Sequence, residues 1–198
     1  MQDAFCPEGI ARHVLSELNT KRLFRRQFQL SSLDDVGIKT VSIIKFALRG
    51  LVAIEDDNPL SLFSYWSGDK KALSESNRET TDAEEALEEY TKFICGALCC
   101  MFSGVKKAFN QEWQDTESKI DSVTSINGFL LAFKRTLPIY GVQNNLFYAE
   151  RFERLRISFY RTTEENEGFP FASSQYSMMA DRIIEDCFPE VKKEEDAR

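Results

Sequence analysis

Cys95, Cys99 and Cys100 fall within six residues of one another in the stretch FICGALCCMFSG. Thiols at that spacing could hold a metal, carry a redox step or fill space. A structural zinc site takes four ligands, usually completed by a second cysteine pair or a histidine pair. The chain has five cysteines and a single histidine, His13, so neither pair is at hand. Reactive thiols also favour electropositive, part-exposed settings such as helix N-termini, whereas these three lie mid-segment among Phe93, Leu98, Met101 and Phe102. With Ile94 at the centre of a helical apolar face, Cys95 falls at about 100°, Cys99 at about 140° and Cys100 at about −120°. They do not converge. The expectation is packing: Gly96, Cys99, Cys100 and Ser103 are small, and a second helix could lie close to them, burying this helix on two sides. No metal site, no cofactor and no catalytic residue is assigned.

Other chemistries are equally thin. Catalysis by a Ser-His-Asp or Cys-His arrangement would depend on His13 alone, which has no evident partner. Adjacent acids such as Asp34–Asp35, Asp56–Asp57 and Glu84–Glu85 read as surface groups or caps, because consecutive residues on a helix point apart. An enzyme whose acids, Asp34, Asp35, Asp56 and Glu89, meet only in the fold stays open as an alternative. Glycine-rich phosphate loops and nucleophile elbows are missing from the sequence. Trp66 and Trp113 fall in or beside boundaries, where a Trp can close a core or anchor a partner.

One basic run has binding character. In KRLFRRQF, Lys21, Arg22, Arg25 and Arg26 lie at helical spacing, with Phe24 or Phe28 as a core anchor. Such a patch draws phosphates; the competing reading is a solvated helix face offset by acids elsewhere. A second run, Arg151, Arg154, Arg156 and Arg161, is interleaved with Glu150 and Glu153. Glu150 and Arg154 are i, i+4 partners, which points to helix stabilisation. Lys134 and Arg135 suit a helix C-terminus.

The elements that must position these groups are mostly helical. Ile10, Val14, Leu15 and Leu18 follow Pro7 at helical spacing. Val41, Ile44, Leu48 and Leu51 or Val52 make a second stripe, whose β-branched opening also suits a short strand. The clearest helix runs from Thr81 to Phe109. Thr81 and Glu84 form a capping-box pattern, and Leu87, Tyr90, Ile94, Ala97, Leu98, Met101, Val105 and Ala108 hold one face. Thr124 or Ser125 opens a further helix that Pro138 should end. Tyr148, Phe152, Leu155 and Phe159 mark another, although Leu155, Ile157 and Phe159 alternate as a strand would. Tyr176, Met179, Ala180, Ile183, Ile184 and Cys187 mark the last.

The fold expected is therefore mainly α: a single-domain helical bundle over residues 1–188 around one long central helix, with room for a minor strand pair and a charged, frayed tail at 189–198. With 198 residues, 42% hydrophobic content and sixteen Phe, the chain can build a sizeable core. The odd, irregular cysteine count suits a reducing, cytoplasmic compartment, and no apolar run approaches membrane-span length. A net charge of −7 argues against coating nucleic acid through global charge, while leaving a local basic face available.

The segment LEEYTKFICGALCCMFSGVKKAFNQEW, followed by SINGFLLAFKRTLP, resembles the C-terminal helical part of DGQHR-domain proteins, relatives of the DndB-type DNA sulfur-modification regulators. The ending GFPFASSQYSMMADRIIEDCF is similar in style, and LNTKRLFRRQFQL resembles the stretch that follows that family's core domain. The residues DGQHR themselves are absent, so the family's functional residues have no counterpart here. The resemblance implies a helical portion alone, working through partners around DNA modification or defence against foreign DNA. The functional expectation is a non-catalytic interaction or regulatory module. A protein partner is expected, and DNA could meet the patch of Lys21, Arg22, Arg25 and Arg26. The alternatives are the acid-site enzyme above and a structural oligomerisation domain.

Overall fold

Pro7 starts the chain's first helix because its fixed φ suits a first turn that needs no amide donor. In the computed structural model, which describes residues 4–24, 28–29, 38–114, 120–164 (backbone alone over 157–164) and 175–197, this helix is α1, Pro7–Thr20. The Cys6 thiol caps it by accepting from the Gly9 amide at 3.3 Å. Ile10, Ala11, Val14, Leu15 and Leu18 are buried along one side. Beyond α1, strand β1 (Phe28–Gln29) pairs in parallel with β2 (Ile38–Lys39), with Phe28 opposite Ile38 and Gln29 opposite Lys39. The Asn19 side-chain amide holds both backbone groups of Phe28, at 2.8 and 2.9 Å, and so ties the end of α1 to this strand pair.

The next helix, α2, covers residues 40–51 and contains a π-helical turn at Ile44–Leu48, where the Arg49 amide donates to the Ile44 carbonyl. Its buried residues are Thr40, Ile43, Ile44, Ala47, Leu48 and Leu51. Val41, expected on that stripe, is 71% exposed. The phase is set one residue earlier, because the Thr40 hydroxyl donates to the Gln29 carbonyl at 2.9 Å and holds Thr40 inward. The strand suggested by the β-branched opening is confined to Ile38–Lys39. After α2, Ser61 is fully buried and donates to the Ala53 carbonyl at 2.6 Å, closing the turn that leads to an aromatic group of Phe63, Trp66 and Tyr90.

The long helix α3 is Thr81–Ala108. Its N-terminal cap is Thr80, one residue before the expected Thr81: the Thr80 hydroxyl accepts from the Ala83 amide at 3.2 Å, the geometry of an N-cap side chain. Of the face expected to be buried, Tyr90, Ile94, Ala97, Leu98, Met101, Val105 and Ala108 are buried, and Leu87 is half-buried. The chain divides into two compact units, residues 1–99 and 100–198, and the boundary lies within α3. In unit 1, α1 packs against α2 and touches β1.

Unit 2 holds the end of α3 with α4 (Val123–Tyr140), α5 (Asn145–Glu164), α6 (Tyr176–Cys187) and α7 (Pro189–Asp196). Helix α6 packs on α4, α5 and α7. The cap of α4 is Ser122, whose hydroxyl accepts from the Ser125 amide at 3.2 Å, and the helix runs past Pro138 to Tyr140. Pro138 is tolerated in the final turn, and Gly141 stops the helix at φ 61°, where a residue with a Cβ would be strained. The second half of α5, which also read as a strand, is helical through Glu164. Residues 189–196, expected as part of a frayed tail, form α7, because Pro189 opens the turn and Val191 is buried. Phe129, Tyr148, Phe152 and Phe188 make the aromatic centre of this unit, with Phe129–Phe152 centroids 5.3 Å apart. The protein is mainly α, and among its described residues no helix is long and apolar enough to cross a membrane.

Candidate functional site

The basic run sits where α1 ends. Lys21 is the C-cap residue, its amide donating to the Leu18 carbonyl at 3.0 Å while its backbone turns extended. A cation is favoured there by the partial negative charge of the helix end. Lys21 and Arg22 are both exposed. Phe24 is the anchor: it is fully buried, with its ring 5.2 Å from that of Phe28. Arg25 and Arg26 lie outside the described residues.

The strand pair brings Lys39 to this end of unit 1, and α2 carries a further cation, Lys45. Lys39, opposite Gln29 on β2, is exposed, and Lys45 on α2 is exposed with its ammonium 5.3 Å from the Phe46 ring centre. Among the described residues, Lys21, Arg22 and Lys39 make no ion pair. Val41 and Phe46, 71% and 52% exposed, stand on the same short helix as Lys45. The π turn lies under Phe46, and such turns often accompany functional sites. Sequence reasoning missed Lys39, Lys45, Val41 and Phe46. The isolated lysines made no run, Val41 was placed on the buried stripe, and Phe46 stood outside it.

Of the three clustered cysteines, Cys95 is a packing group. Cys95 is buried, its thiol faces the Val14 carbonyl at 3.8 Å, and burial pushes that thiol up to about 12, far from a reactive thiolate. Cys99 and Cys100 are half-buried. Close helix approach at Gly96 does not occur: Gly96 is exposed, and a Cβ built there meets nothing within 4 Å. The close approach falls at Gly104, where a Cβ would stand 2.4 Å from the Tyr148 Cβ and 2.9 Å from the Ala149 amide nitrogen. Gly96 is directed away from the packed side because it lies about 200° around the helix from Ile94.

Of the four acids that could meet in the fold, two are among the described residues. Asp56 and Glu89 are exposed, Asp56 reaching only Lys70 at 3.9 Å, while Asp34 and Asp35 lie outside the described residues. No group of three His, Cys, Asp or Glu among the described residues is placed to hold a metal. Trp66 is a core residue, and Trp113 is half-buried with the Lys106 ammonium 5.8 Å from its ring centre.

In unit 2 the arginines join helices. Arg151 lies over the rings of Tyr140 and Phe147 at 5.0 Å and of Phe188 at 5.7 Å, and donates to the Cys187 carbonyl at 3.3 Å and to Glu190 at 3.2 Å. The Tyr140 hydroxyl donates to the same carboxylate at 2.7 Å; this bond, with Arg151 beside it, holds Glu190 down to about 2. Arg135, expected to serve its own helix end, bridges from α4 to Asp181 on α6 at 2.6 Å and to Glu195 on α7 at 2.8 Å. These contacts are long-range in sequence, so i, i+4 spacing could not reveal them.

No family model matches the chain, and no match was found among curated proteins or solved structures.

Proposed function

We propose that this chain is a non-catalytic interaction and regulatory module whose basic edge, at Lys21 and Arg22, faces an anionic partner. The supporting observation is a set of exposed cations, Lys21, Arg22 and Lys39, with no ion pair among the described residues, at the end of unit 1 where the strand pair joins α1 to α2. Cations that stabilise a fold are normally paired or laid on rings, as Arg151 is in unit 2. Exposed cations with no ion pair among the described residues are available to phosphates or carboxylates. The connection to DNA modification or defence against foreign DNA rests on the resemblance of the Leu87–Trp113 and Ser125–Pro138 segments to DGQHR-domain proteins. In that setting the partner is DNA or a protein of the same machinery.

Fluorescence anisotropy with a short labelled duplex tests the nucleic-acid arm. About three phosphate contacts would weaken binding on the order of 40-fold between 50 and 200 mM salt. The double variant Lys21→Glu/Arg22→Glu should weaken low-salt binding at least tenfold. Absence of binding to wild type at low salt removes DNA as the direct partner of this edge. Unchanged binding in the double variant removes the edge itself.

A second reading, an oligomerisation domain, is favoured by one observation: Val41 and Phe46 are large, apolar and exposed on α2. Light scattering on wild type and on Val41→Ser/Phe46→Ser separates the two. A multimer that the double variant dissociates supports the second reading, and a monomer in both dismisses it.

A further inference from the structure

Helix α7 is short and carries little apolar surface. A helix of eight residues is marginal by itself, so α7 depends on what it docks against, and Val191 is its buried residue. Charged groups supply the contacts at its ends. Near one end, Glu190 accepts from the Tyr140 hydroxyl of α4 at 2.7 Å and from the Arg151 guanidinium of α5 at 3.2 Å. Near the other, Glu195 accepts from Arg135 of α4, Nε to Oε1 at 2.8 Å, with a second guanidinium nitrogen on Oε2. Two carboxylates of α7 are thus clamped by arginines from two other helices.

The joint to the rest of the unit is a single residue. Phe188 is the C-cap of α6 and the N-cap of α7, at φ −135° and ψ 57°, with no loop between the two helices. Its buried ring lies 6.0 Å from that of Tyr140, 6.4 Å from Phe147 and 6.0 Å from Phe152, which fixes the pivot. The clamps are open to water: the Glu190 and Glu195 side chains are 53% and 34% exposed. Salt weakens such pairs, because raising it from about 0.1 M to about 1 M shortens the screening length from about 10 Å to about 3 Å. Segments near a chain end with few buried apolar groups open well below the free energy of global unfolding.

We propose that α7 is a strap held by charge, which swings out about Phe188 as a unit while α4, α5 and α6 stay folded. Docked, it keeps Arg135 and Arg151 engaged with its own carboxylates. Released, it frees Arg151 of Glu190 and leaves Arg135 with Asp181. Ionic strength then sets how much of that cationic surface is uncovered. The Val191 contact fixes where the strap sits, and the two clamps set how its opening responds to salt. This device lies within unit 2 and does not depend on the reading given for the basic edge.

Hydrogen exchange of the full chain, read by mass spectrometry in about 0.1 M and about 1 M sodium chloride, tests the proposal. Protection of the α7 amides should fall about tenfold with salt while that of α4 and α6 holds. Glu190→Gln/Glu195→Gln should exchange in α7 at low salt about as fast as wild type does at high salt, with its salt dependence gone. Val191→Ala should speed exchange in α7 at both salts and keep the wild-type ratio between them. Thermal melts, with unchanged protection in α4 and α6, establish that each variant keeps the rest of unit 2 folded. The proposal is overturned by α7 protection that salt leaves unchanged, by α7 exchanging only together with α4 and α6, or by a salt ratio that survives in the folded Glu190→Gln/Glu195→Gln variant. Loss of that ratio in Val191→Ala would place the salt effect on the apolar contact and overturn it as well.

Discussion

Two glycines on α3, eight residues apart, fall one in each unit of this protein and differ in their surroundings. Gly96, in unit 1, has open space where a side chain would be, while Gly104, in unit 2, has the Tyr148 side chain and the Ala149 backbone pressed against it. The charges divide in the same way. Unit 2 draws Arg135 and Arg151 into contacts that join separate helices, each with a carboxylate and Arg151 with three rings as well. Unit 1 has its own pairs, Arg49 with Glu8 at 2.9 Å and Lys92 with Glu88, but among the described residues Lys21, Arg22 and Lys39 make no ion pair. Polar groups consumed by packing are not available for recognition, so the contrast supports the proposal that unit 1 is the part that meets partners.

The sharpest way to break this comparison is Gly104→Ala. The added Cβ meets a Cβ and a backbone nitrogen, neither of which can rotate away, so a cost of about 2–3 kcal/mol is expected in urea unfolding. A change below about 0.5 kcal/mol would show that the tight contact is not maintained in solution. Arg151→Ala comes next, at about 1–2 kcal/mol, since the guanidinium is largely covered while Glu190 is half open to water. Arg151→Lys should recover only part of that loss, because an ammonium cannot reproduce the planar stacking.

The same cluster carries a pH signature. Glu190 is held below its ordinary value of 4.5, at about 2, first by the Tyr140 hydroxyl and then by its own backbone amide and Arg151. A carboxyl depressed in the folded state contributes stability above its unfolded pKa and loses it as pH falls through the folded one. Wild type should therefore lose more stability between pH 4.5 and pH 2 than Glu190→Gln does, and parallel acid-unfolding curves would contradict the assignment. The smallest effect is expected at the other glycine: Gly96→Ala should stabilise by about 0.5–1 kcal/mol, through helix propensity alone. A destabilised Gly96→Ala protein would mean that this face is covered, and unit 1 would lose its claim to openness there.

Local signals made much of this fold legible. Periodicity and caps located α1, α3, α4 and α6 because an amphipathic helix writes its buried face into neighbouring residues. Errors of one residue or a few, such as Thr81 for Thr80 and Thr124 or Ser125 for Ser122, arose where nearby hydroxyl residues compete for one cap. Val41 was misplaced for a related reason: a stripe of β-branched residues fits two helical phases, and the Thr40–Gln29 hydrogen bond selects between them. The candidate site was half legible. Lys21 and Arg22 announced themselves as a run, whereas Lys39 reaches the same end of unit 1 through a strand pairing that local spacing does not encode.

By itself the sequence determined that this protein is mainly helical and where its long helix lies, because these follow from contacts within a few turns of one chain segment. Only the tertiary structure decided which glycine is crowded, and which arginines join separate helices of unit 2. Those outcomes depend on which helix faces meet. Helix faces pair through the summed burial of many side chains distant in sequence, a quantity that no single stretch of residues carries.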